Sequence, residues 1–109
     1  MDKEKIKAAA DRLSCYVLYK NLLESGRAER LCEDIKLRAE MFELRRSVLS
    51  LPDSKERFFL YNRYIHGRTV ETCAEILGIS RRSAFRLREK ALTLYADRAE
   101  KSTVSAVRS

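Results

Sequence analysis

The chain has 109 residues, enough for one domain with a modest core. Lys and Arg outnumber Asp and Glu by 23 to 16, a net charge of +7, which suits a polyanionic partner. No apolar run approaches the length of a membrane span. The N-terminal MDKEKIK lacks the apolar segment of a signal peptide, so a cytoplasmic location without membrane association is expected. Cys15, Cys32 and Cys73 are far apart and sit at or beside apolar positions, and we read them as buried free thiols in a reducing compartment.

From Lys3 to Glu24, strong helix formers put Ile6, Ala9, Ala10, Leu13 and Val17 on one stripe, and no proline or glycine interrupts them. Ser25 and Gly26 break the pattern. Arg27 to Leu51 resumes it, with Leu31, Ile35 and Phe42 on one line and Leu37, Met41, Leu44, Val48 and Leu51 on a neighbouring one. The two segments read as a helical hairpin. The second has too wide an apolar stripe for one partner, leaving the C-terminal segment or a second protomer to cover the rest.

Leu51-Pro52-Asp53-Ser54 holds the only proline, which disfavours helix at the residue before it, so a boundary is placed here. Asp53 and Glu56 have the spacing of a capping box. A helix over Ser54 to Ile65 offers Phe58, Phe59, Tyr61, Tyr64 and Ile65 to a core, and Gly67 ends it.

The stretch Arg68 to Leu94 reads as two short helices and a tight turn. Val70, Cys73, Ala74 and Leu77 fall at i, i+3, i+4 and i+7, Thr69 supplies an N-cap hydroxyl, and Gly78 follows the last periodic residue. Ser80 then caps a second helix. Ala84, Leu87, Ala91, Leu94 and Tyr95 share its inner face, and Arg81, Arg82, Phe85, Arg86 and Glu89 share its outer one. Arginine suits phosphate and guanine edges. Phe85 can touch a thymine methyl, or fold onto Leu92 or a partner; Glu89 can accept from cytosine or pair with an arginine, and pairing is preferred. After Tyr95 the apolar period is lost, and a disordered tail is expected over 97–109. The organisation is all-α: a hairpin (1–51), a helix-turn-helix domain (52–96) and the tail.

The run LPDSKERFFLYNRYIHGRTVETCAEILGISRRSAFRLREKALTL, 44 of the 109 residues, resembles region four of the bacterial sigma factors, which reads the −35 promoter element. The opening LP, RYI-x-G, the AEILGIS turn and EKAL carry the resemblance. It implies that the helix beginning at Ser80 enters the major groove and that Arg81, Arg82 and Arg86 contact bases or phosphates. Arg68, Thr69 and Lys90 match positions that hold the DNA backbone, and we add Ser80 and Arg88 to that role.

The first 50 residues are too short, and without tryptophan, to be the family's polymerase-binding and −10-melting region. Arg82 stands where primary sigma factors carry an acid and Phe85 where a polar residue is usual, so a different base sequence should be read. In size and layout the chain is similar to small sigma-like regulators of phages and mobile elements such as the ArpU type.

The expected function is sequence-specific binding of double-stranded DNA in transcription regulation, with a homodimer through residues 1–51 or docking on RNA polymerase adding contacts. A sigma-like protein-interaction module with secondary DNA contact, and an RNA-binding role, are the other readings. His66 reads as a surface residue. Glu33 and Asp34 are adjacent on a helix and point apart, unlike a catalytic dyad, and Tyr16 and Tyr19 read as packing residues. Neither a triad, a metal site nor a phosphate-cradling loop is visible, so no enzyme activity, metal or cofactor is expected.

Overall fold

Helix-forming sequence without strand-like alternation gives helices throughout, and none of the described residues forms a strand. The computed structural model describes residues 3–25 and 31–108, with side chains for 3–25 and 33–99. The elements are α1 (Lys3–Glu24), α2 (Leu31–Leu49), α3 (Lys55–Leu60, running on through a π turn at Tyr61–Ile65), α4 (Val70–Leu77) and α5 (Arg81–Arg108). The expected break at Gly26, the start of the second helix at Arg27 and the side chains of Leu31 and Cys32 lie outside the described residues.

Ala9, Ala10, Leu13 and Tyr16 form the buried face of α1, with Ile6 half-buried at its edge. On α2 the two apolar lines part company. Leu44, Val48 and Leu51 are buried, whereas Ile35 and Phe42 keep 59% and 54% of their surface and Leu49 keeps 48%. The helical phase puts Ile35, Phe42 and Leu49 on the side opposite Leu44 and Val48, so α2 has two apolar faces and one is bare.

Pro52 turns the chain inside a shared core: buried residues from α1 to α5 form a single cluster, and segments 1–51 and 52–96 both contribute to it. The α3 N-cap is Ser54, whose Oγ accepts from the Arg57 N–H at 3.3 Å; Asp53, the residue expected there, instead pairs with Arg57 at 3.1 Å. Phe58 is exposed rather than buried, and Leu60 takes a core position. At about 100° per residue, the buried arc is centred between Phe59 and Leu60, and Phe58 falls on its outward side. In the π turn the His66 N–H reaches back to the Tyr61 carbonyl, and buried Asn62 donates from Nδ2 to the Phe58 carbonyl at 2.9 Å. That bond satisfies a polar side chain that burial would otherwise penalise.

The spine of the fold is α5, which packs against α1, α3 and α4. Its buried arc is Ala84, Ala91, Leu92, Tyr95 and Ala96. Leu94, expected inside, is exposed: the buried arc runs through Ala91, Leu92, Tyr95 and Ala96, where α5 packs against α1, α3 and α4, and Leu94 lies off it. The helix continues to Arg108, through the segment where a disordered tail was expected. Neither glycine nor proline follows Gly78, Ala96 is buried, and a Lys5–Asp97 ion pair at 2.7 Å ties the helix to α1 beyond Tyr95. The Ser47 and Tyr95 hydroxyls add a 2.7 Å hydrogen bond between α2 and α5.

Candidate nucleic-acid interface

The α4–α5 corner is set by three local devices. Thr69 Oγ1 accepts from the Thr72 N–H at 3.1 Å and caps α4. Gly78 leaves α4 at φ +67°, and the N–H groups of Gly78 and Ile79 close on the carbonyls of Glu75 and Ala74. This is the paired bonding that satisfies helix-terminal carbonyls when a left-handed residue follows. Ser80 Oγ then accepts from the Ser83 N–H at 3.1 Å and starts α5. All three were expected from sequence. Val70, Cys73 and Ala74 on α4 and Ala84 on α5 are buried, small residues that let the two helices approach closely.

This corner leaves the first turns of α5 standing outward. Arg81, Arg82, Phe85, Arg86 and Glu89 are all exposed, as the sequence expectation placed them. Phe85 keeps 42% of its surface, and its ring lies under the Arg81 guanidinium at 5.5 Å; it is not folded onto Leu92, which is fully buried. Arg81 Nε also meets Glu71 Oε1 of α4 at 3.1 Å. Arg82 and Arg86 have no side-chain partner among the described residues, so their donors are open to phosphate oxygens or purine edges. Glu89 has no arginine partner among those residues; its carbonyl accepts from the Thr93 hydroxyl.

The residues expected to hold a backbone divide into two groups. Arg68, Thr69 and Ser80 are exposed around the start of α4 and the turn. Arg63 braces the first of them, its Nη1 donating to the Arg68 carbonyl at 3.2 Å and its guanidinium stacking on Tyr64 at 5.3 Å. Arg88 is half-buried. Lys90 turns toward α3 and pairs with Glu56 at 3.1 Å. The Glu56 carboxyl is held below the usual carboxylate range by its backbone hydrogen bond and by Lys90.

Glu71 and Arg63 were missed from the sequence. Glu71 lies ten residues before Arg81 and meets it only across the turn, a pairing no helical period signals. Outside the corner, His66 is exposed and edge-on to Tyr61 at 4.9 Å. Cys73 is a buried free thiol, with burial pushing its pKa up, and Cys15 is a half-buried one. Among the described residues no group of three His, Cys, Asp or Glu gathers as a metal site, and no helix is long and apolar enough to cross a membrane. No protein-family model matches the chain, and neither a curated protein nor a solved structure is similar enough to count as a match.

Proposed function

We propose that this chain is a sequence-specific double-stranded-DNA-binding transcriptional regulator of the cytoplasm, built on a sigma-region-four-like helix-turn-helix and acting as a binding protein, not a catalyst. The observation that carries the reading is the pair Arg82 and Arg86, exposed and without side-chain partners among the described residues, in the first two turns of a capped helix that follows a tight turn. Helix-turn-helix proteins place their base-reading residues there. In this reading α5 enters the major groove, Arg81, Arg82 and Arg86 reach base edges, Arg82 and Arg86 neutralise phosphates as well, and Phe85 lies beneath Arg81. Arg68, Thr69, Ser80 and Arg88 position the backbone, and Lys90 joins them on leaving Glu56.

A single module of this kind buries about 600 to 1,000 Å² on DNA and reads few base pairs. A second copy, docked through the bare face of α2 at Ile35, Phe42 and Leu49, supplies the second half-site. That same face supports the other reading, in which the chain is a protein-interaction module on RNA polymerase and DNA contact is secondary.

The test is Arg82→Ala with Arg86→Ala on a duplex selected from random sequence. Affinity should fall, and the slope of log affinity against log salt should flatten by about one to two. Unchanged affinity and slope would sink the DNA-reading account. Sedimentation at tens of micromolar tests the dimer, and a monomer there removes it.

A further inference from the structure

The arginines of the outward face are not equivalent. Arg81, the first residue of α5, has two neighbours: Glu71 of α4 forms an ion pair with its Nε side at 3.1 Å, and its guanidinium carbon lies over the Phe85 ring, one turn on, 5.5 Å from the centroid. Arg82 and Arg86 are held by nothing among the described residues. The Arg81 and Glu71 side chains are 70% and 53% exposed, so their pairing adds little to stability. Its effect is on direction and on charge.

The carboxylate sits on the Nε side of the guanidinium, and the two Nη groups, without a partner among the described residues, offer a fork that matches O6 and N7 of guanine. Ordering an arginine before it binds removes part of the side-chain entropy cost of that contact. The neighbouring carboxylate also makes the pair nearly neutral. A phosphate approaching Arg81 meets the Glu71 charge as well, whereas a guanine edge, which carries partial but no net charge, is repelled less.

We infer that Glu71 is a positioning residue that reserves Arg81 for a guanine base and withholds it from phosphate. The inference rests on the DNA-binding reading above and divides its face in two: Arg81 contributes discrimination between bases, and Arg82 and Arg86 contribute the salt-dependent share of affinity as well. Phe85 acts as the platform on which the Arg81 guanidinium lies.

The experiment uses the full chain and its selected duplex, with each guanine of the motif changed in turn to adenine, over a range of salt. Arg81→Ala should abolish discrimination at one guanine, a loss of about 5- to 150-fold, with little change in salt slope. Glu71→Gln should lower discrimination at that same guanine by about 5-fold or more, and should leave the slope unchanged or steepen it as Arg81 becomes free for phosphate. Its melting midpoint should stay within about 3 °C, since the pair is exposed.

The inference is overturned if Glu71→Gln keeps full discrimination at every guanine, or if Arg81→Ala flattens the slope without losing discrimination. Failure of the underlying reading looks different: the wild-type chain selects no motif, or Arg82→Ala with Arg86→Ala changes neither affinity nor slope.

Discussion

The first two turns of α5 and its middle turns belong to one unbroken helix and have opposite surroundings. Phe85 and Leu92 are seven residues apart and lie on nearly the same line of that helix. Phe85 keeps 42% of its surface under an arginine, while Leu92 is fully buried. Nothing in the helix itself separates them; the difference is what packs alongside. Helix α5 is thus one rod with a core end and a presented end, divided by where its neighbours stop.

The comparison can be broken most decisively at its buried end. Leu92→Ala should destabilise the fold by about 2 to 5 kcal/mol, read by denaturant unfolding, because it opens a cavity under α5. A loss below 1 kcal/mol would mean that the middle of α5 is not the spine. At the junction between the two ends, Ser80→Ala removes the hydroxyl that starts the helix and should cost about 1 kcal/mol. That variant sharpens how firmly the presented end is fixed.

Glu56→Gln tests the flank, where Lys90 meets α3, and should cost about 0.5 kcal/mol near neutral pH. The Glu56 pKa is lower folded than unfolded, so its contribution is present above the unfolded value and is lost as pH falls through the folded one. Wild type and variant should therefore converge in acid, and a gap that persists there would refute the pairing. The smallest effect belongs to the presented end: Phe85→Ala should alter stability by no more than about 0.5 kcal/mol while changing DNA affinity. A loss of several kcal/mol would show that Phe85 is a core residue.

The parts of this fold that depend on neighbours in sequence were legible from sequence. Thr69, Gly78 and Ser80 act within three or four residues of themselves, so their chemistry named the corner in advance. The basic outward face followed from helical phase alone. What depends on distant elements was not legible. Whether Leu92 or Leu94 goes inside is decided by the helices packed along α5, among them α1, more than sixty residues earlier in the chain. Pattern gave α2 two apolar lines but could not say which one the core would take. Ser54 is the cap while Asp53 pairs with Arg57, and Glu71 meets Arg81 only across the turn.

The ties at the far end of the rod set its aim. Asp97 is bonded to Lys5 of α1, and Tyr95 to Ser47 of α2. At 1.5 Å per residue, Asp97 stands about 22 Å along the axis from Arg82. The helix therefore works as a lever arm: a tilt of about 5° pivoting there sweeps Arg82 through about 2 Å, comparable to the tolerance of a hydrogen bond. A shift of the N-terminal hairpin that carried α5 with it would re-aim the arginines without touching them.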